Sequence, residues 1–131
     1  MRPTSFAPIL DTLTKQRGVS AALVVSERDG IVVDSNLQIG QSGDRVAALA
    51  ASLYRKARFS AQAAGMGAVS FMTLEAPKGR LCTAGTATGE LVLVVVAEAA
   101  VNVGLVRVEM LRAVGGLAGA AGLDDGARGG T

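Results

Sequence analysis

The chain has 131 residues, of which half are hydrophobic and 18% are charged, and its formal net charge is +2. This composition excludes a disordered chain, and the weak charge argues against nucleic-acid binding. We expect one domain over residues 1–121 and a flexible, Gly-rich tail over 122–131. The longest apolar run, Leu91–Ala97, is too short to cross a bilayer, so no membrane span is expected. A single cysteine and no signal-peptide pattern predict a cytoplasmic location.

The start of the chain predicts a helix followed by a β-hairpin. Thr4 or Ser5 is a suitable N-cap for this helix. Two runs of strand-forming residues, 19–26 and 31–35, flank an Asp-Gly pair, which is a strong signal for a tight hairpin turn. The helix carries one apolar stripe at helical spacing, made of Phe6, Ile9, Leu10 and Leu13.

A second helix is predicted over residues 44–63, and its two faces differ. One face has apolar residues spaced by three or four and is expected to pack on the core. The other face combines small residues with an arginine and a phenylalanine, which favours contact with another protein over an ordinary solvated surface. The predicted core stripe is Val46, Leu49, Leu53 and Ala57, and the predicted contact face is Ala48, Ala51, Ser52, Arg55, Phe59 and Gln62.

The second half of the chain predicts three strands and a last helix. The strands are expected over 68–75, 80–87 and 90–97, and the third is apolar on both faces, as is typical of a central strand. An amphipathic helix follows over about 101–119. The predicted fold is therefore α/β, of the α+β kind. Its order is α-β-β-α-β-β-β-α, with helices on both faces of a five-stranded, mostly antiparallel sheet.

Residues that could carry catalysis are scarce. The chain has no histidine, which excludes His-based acid–base catalysis, Ser-His and Cys-His pairs, and the commonest metal ligand. Cys82 stands in mid-strand without an activating base in sequence, so a small buried hydrophobic residue is the better interpretation. No phosphate-binding loop motif occurs. We expect no catalytic residue, no metal and no cofactor, and we expect the function to lie in a surface.

Three segments together resemble the roadblock domain family, which includes dynein light chains and bacterial MglB-type regulators. They are GVSAALVVSERDGIVVDS, DRVAALAASLYRKA and GELVLVVVAEAAVNVGLVRVEMLRAV, in the order and at the spacing of the family. Arg17 stands where the family often has a proline, and Gly104-Leu105 match the start of its last helix. The resemblance covers about 6–117 and implies a roadblock-like fold with profilin/longin-like architecture.

The resemblance also implies a homodimer that binds a Ras-like small GTPase. In this family the second helix packs against its twin, and the strand after it pairs across the dimer. The paired helices form a platform for the GTPase. Family members of the MglB type accelerate GTP hydrolysis without donating catalytic groups, and others act only as scaffolds. The processes implied are signalling, such as cell polarity or motility. The dimer-interface residues would be Ala48, Ala51, Ser52, Val69 and Phe71.

An aromatic residue and nearby arginines have the composition of interface anchors. The predicted partner-binding residues are therefore Arg45, Arg55, Arg58 and Phe59. The arginines would either grip an acidic surface, which we favour, or reach the nucleotide as a finger. Two alternative functions remain at this point, a small-molecule-sensing domain and a purely structural scaffold.

Overall fold

The structure is a computed structural model that describes residues 6–37, 43–86 and 89–129, with side chains described up to residue 117. Its eight elements follow one another in the predicted order. The predicted caps Thr4 and Ser5 lie outside the described residues. The elements are α1 (Ala7–Thr14), β1 (Val19–Ser26), β2 (Val32–Leu37), α2 (Gly43–Ala63), β3 (Met72–Ala76), β4 (Gly79–Gly85), β5 (Leu91–Ala97) and α3 (Val103–Gly129).

The five strands form one antiparallel sheet in the order β2-β1-β5-β4-β3. Its centre is β5, as predicted, because residues 92–95 are fully buried. The two hairpins lie on either side of β5, so that β2 and β3 form the edges of the sheet. The pairing of β3 with β4 begins at Met72, four residues later than the predicted strand start at 68.

The helices cover the two faces of the sheet, which confirms the predicted layers. On one face, α1 and α3 pack against every second residue of the strands. On the other face, α2 packs mainly on β1, β2 and β5. The first core includes Leu10, Leu13, Ala22, Val24, Cys82, Leu93, Val95, Met110 and Leu117, and the second includes Ala21, Leu23, Val25, Ala47, Ala50, Ala51, Tyr54, Val92 and Val94.

The predicted core stripe of α2 was wrong at Leu49 and Leu53, whereas Val46 packs against the core as predicted. Leu49 is 63% exposed and Leu53 is 37% exposed, whereas Ala50 and Ala51 are each 1% exposed. Alanines on the inner side allow the helix to lie close to the sheet, and the Tyr54 ring fills the remaining space between helix and sheet. The two leucines lie on the other side of the helix and point away from the sheet. Ala51, which was predicted at a dimer interface, is therefore buried in the core of its own protomer.

The last helix is longer than predicted. It runs to Gly129, beyond the expected end at 119, and includes most of the segment expected to be a flexible tail. An established helix gains one hydrogen bond for each residue added, and the alanines at 118, 120 and 121 favour its extension, whereas the glycines at 122, 126 and 129 do not. The division of the chain at residue 121 stays a prediction. None of the helices in the described ranges is long and apolar enough to cross a membrane.

Candidate functional site

The outer face of α2 carries large apolar side chains. Leu49 and Leu53 lie one turn apart, and Phe59, which is 54% exposed, lies further along the helix. A face directed only to solvent would be mostly charged, so this one has the composition of a contact surface. We call it the α2 outer face. Its other exposed or half-buried members are Arg45, Ala48, Ser52 and Lys56.

Arg55, predicted to bind a partner, contacts the turn between β1 and β2. Its Nη1 donates hydrogen bonds to the carbonyl oxygens of Glu27 (3.1 Å) and Arg28 (3.0 Å). The same turn touches the helix earlier, at Gly30, where a Cβ would lie 3.0 Å from the Ala48 Cα. Gly30 has a φ of +69°, which favours glycine in any case. The turn is therefore seated directly on α2.

Arg58, also predicted to bind a partner, forms an ion pair inside the molecule. Its Nε and Nη2 lie 2.8 and 2.6 Å from the Oε2 atom of Glu27. The Glu27 side chain is only 6% exposed, and a carboxylate so deeply buried is tolerated when it is paired and hydrogen-bonded. The Arg58 guanidinium also lies over the Phe59 ring, 5.1 Å from its centroid. Two predicted partner-binding residues are thus in contact, and a buried carboxylate holds one of them.

Of the remaining predicted site residues, Arg45 and Ala48 are exposed and Ser52 is half-buried, all on α2. Val69 and Phe71 precede β3 and are half-buried. The Val69 carbonyl accepts a 3.0 Å hydrogen bond from the Tyr54 hydroxyl, and the Arg107 guanidinium lies over the Phe71 ring. The structure does not gather Val69 and Phe71 with the residues of the α2 outer face.

The α2 side of the sheet is only partly covered. Leu74, at the middle of β3, is 50% exposed, and it pairs with the half-buried Leu81 of β4. The alternation of side chains places both on the face where α2 lies, but α2 packs mainly on the other half of that face. An apolar strip therefore borders the β3 edge, whose backbone groups are available for pairing with another strand.

The structure also has a cavity of about 620 Å³. It opens between the C-terminal half of α2, the segment before β3, residues 85, 86 and 89 near the end of β4, and α3. Burial raises the pKa of the Tyr54 phenol at its wall, and the bond from that hydroxyl to Val69 ties the segment before β3 to α2. The side chains at the wall include Tyr54, Arg58, Gln62, Val69, Ser70, Leu111 and Val114.

Nothing in the described residues resembles an activated nucleophile or a metal site. Cys82 is buried, burial raises the pKa of its thiol, and the Sγ atom lies 3.7 Å from the Thr73 hydroxyl. A buried thiol with a raised pKa is a poor nucleophile at neutral pH. Within the described ranges, no three metal-ligating side chains come together.

Sequence reasoning missed the buried carboxylate and the outward leucines. Glu27 directly follows β1, where a charged residue reads as the polar start of a turn, and no spacing rule links it to an arginine 31 positions later. The outward direction of the leucines could have been predicted from the positions of the alanines. Ala47, Ala50, Ala51 and Tyr54 also follow helical spacing and form a narrower stripe.

Comparisons with known proteins agree with this architecture and confirm the expected resemblance. A protein of Methanocaldococcus jannaschii is 34% identical over 105 residues, which are 80% of this chain and 90% of that one. A Roadblock/LC7 domain from Streptomyces avermitilis superposes with a TM-score of 0.78 at 22% identity, over 87% of this chain and 95% of that one. Myxococcus xanthus MglB gives 0.75 at 23% identity, over 84% and 89%. The model of the Roadblock/LC7 domain matches residues 7–97, and the chain belongs to that family.

Proposed function

We propose that this chain is a non-catalytic regulatory protein of the cytoplasm, a homodimer that binds a Ras-like small GTPase and activates or scaffolds it. The observation that carries the proposal is the α2 outer face, where Leu49, Leu53 and Phe59 are exposed in a domain of the roadblock family. The shortage of activated side chains supports a role exercised through contact rather than chemistry.

The homodimer is supported by two features that lie side by side. The β3 edge offers unpaired backbone groups, and such an edge is a liability unless something covers it. The apolar strip at Leu74 and Leu81 lies next to that edge on the face of α2. A second copy that pairs through β3 would bring its own α2 beside the first. The strip, Leu49 and Leu53 would then be buried together.

The GTPase contact is assigned to the residues that stay available beside that interface. Phe59 and Arg45 are exposed and serve as direct contacts. Arg55 and Arg58 already bind the turn between β1 and β2, so we assign them to holding this surface in place. An arginine engaged with a buried carboxylate is not free to act as a finger, which favours the gripping version of the proposal.

The test uses the purified protein and GTP-loaded Ras-like GTPases of the same organism, beginning with any encoded beside this chain. Phe59→Ala and Arg45→Glu should each weaken binding at least about tenfold, because they remove an aromatic anchor and reverse a charge. The matched control is Arg112→Glu, which reverses an exposed arginine on α3, on the opposite face of the sheet. Wild-type protein that binds no such GTPase, or a Phe59→Ala variant with unchanged affinity, contradicts the proposal.

Single-turnover GTP hydrolysis separates activation from scaffolding. At saturating wild-type protein, an activator raises the hydrolysis rate, whereas a scaffold leaves it at the intrinsic value. An activator of the gripping type should keep its stimulation in Arg55→Ala once the concentration is raised to restore binding. Loss of stimulation with binding intact would instead identify a finger.

A second candidate is a small-molecule-sensing domain, and the cavity beside Tyr54 favours it. Its volume of about 620 Å³ lies in the range of ligand pockets, and hydroxyl, amide and guanidinium groups reach its wall. A screen of cellular metabolites by thermal shift tests this function. Stabilisation by one compound that is lost in Gln62→Leu would support it, and a screen without such a compound would contradict it.

A further inference from the structure

Glu27 is buried and contacts α2 through both its side chain and its backbone. Its Oε2 atom accepts both bonds from Arg58, and its own carbonyl accepts a bond from Arg55 one helical turn earlier. Its backbone amide in turn donates to the Glu90 carbonyl (3.1 Å), next to the central strand. One residue therefore joins the sheet, the turn and the C-terminal half of α2.

The Arg58 guanidinium is held on more than one side. Its Nε and Nη2 are directed to Glu27, and Phe59 lies 5.1 Å from the guanidinium carbon. A planar guanidinium that donates along its edge leaves its face free to stack on an aromatic ring. The direction of the Phe59 ring is thus limited by an arginine that a buried carboxylate fixes.

We propose that Glu27 is a positioning residue for the partner-binding surface: it fixes Arg58, which holds the Phe59 ring outward for an apolar pocket on the partner. The inference rests on the proposed function, because Phe59 is the assigned contact. Preorganising a ring lowers the conformational entropy lost on binding, so the ion pair acts on affinity without touching the partner.

Two variants and one control test this role. Glu27→Gln removes the charge that fixes Arg58, and Arg58→Lys keeps a charge for Glu27 but loses the planar group that stacks on Phe59. Each should weaken binding of a GTP-loaded Ras-like GTPase about tenfold, with the dimer mass unchanged. The control is Glu109→Gln, which removes an ion pair with Arg112 on α3 and should leave affinity unchanged. If Glu27→Gln does not fold, Arg58→Lys carries the test.

The free protein gives an independent measurement. Proton NMR signals of the Arg58 side chain should be shifted upfield by the Phe59 ring in the wild type, and the shift should disappear in Glu27→Gln. Unchanged affinity in both variants, or an Arg58 shift that persists without Glu27, overturns the inference. A wild type that shows the upfield shift, lost in Glu27→Gln, but binds no GTPase contradicts the proposed function alone. The positioning of Phe59 would then stand.

Discussion

The two faces of the sheet are completed in different ways. On the face of α1 and α3, large side chains from two helices, such as Leu13 and Met110, cover the strands and are fully buried. On the other face a single helix packs through alanines and Tyr54, and its own leucines and the β3 border stay exposed. The core on the first face is therefore closed. On the second face, the half beneath α2 is closed and the half beside β3 is open.

The inner side of α2 should tolerate substitution by a charged residue as poorly as any core position, although its residues are small. Ala51→Glu would place a charge and extra volume where the helix touches the sheet, so we expect a loss of more than about 4 kcal/mol in the free energy of unfolding. The control is Val108→Glu at an exposed position of α3, which should change stability by about 0.5 kcal/mol or less. Urea unfolding followed by circular dichroism measures both. Equal losses would show that the inner side of α2 is not a closed core.

Tyr54 is the one large residue of that inner side, and Gly85 makes room for it. A Cβ at position 85 would lie 2.5 Å from the Tyr54 hydroxyl oxygen and 2.7 Å from ring carbons. We expect Gly85→Ala to cost about 3 kcal/mol through overpacking. In a Tyr54→Leu background the same change should cost much less, because the clashing atoms are gone. Additive losses in this double-mutant cycle would contradict the assigned contact.

The core below α1 and α3 should respond mildly to a small truncation. Cys82→Ala should lower the free energy of unfolding by about 1–2 kcal/mol and leave any partner binding intact. Since burial raises the pKa of Cys82 in the folded state, the unfolded thiol ionises first, and wild-type stability should fall as the pH rises above the ordinary value of 9.0. Cys82→Ala should lack that decline between pH 9 and 10. Burial also raises the pKa of the Tyr54 phenol, but from 10.0, so its own contribution to the loss of stability belongs to higher pH. Loss of binding in a folded Cys82→Ala protein would contradict a structural role.

The fold could be predicted from the sequence because its signals are local and repeated. The Asp-Gly turn, the run at Leu91–Ala97 and the apolar stripe of α1 each specify one element, and connections between successive strands leave few arrangements. The orientation of α2 was harder to predict, because two apolar stripes follow helical spacing and the more hydrophobic one, with Leu49 and Leu53, lies outside.

The candidate site was less predictable for the same physical reason. Its composition pointed to α2 and included Phe59, which is exposed there. Whether an arginine is free or paired depends on contacts between distant parts of the chain. Arg58 reaches Glu27 across 31 positions, and only the folded turn between β1 and β2 brings them together.

The central claim is that the chain forms a homodimer through the open half of the sheet face beside β3, and it can be tested by measuring the molecular mass. Sedimentation equilibrium of the wild-type protein at micromolar concentration should give about twice the 13.2 kDa of the chain. The double variant Leu49→Asp/Leu53→Asp should give the mass of one chain with its circular dichroism unchanged, because both side chains are exposed in the protomer. A wild type that sediments as a monomer, or a double variant that stays dimeric, would contradict the account.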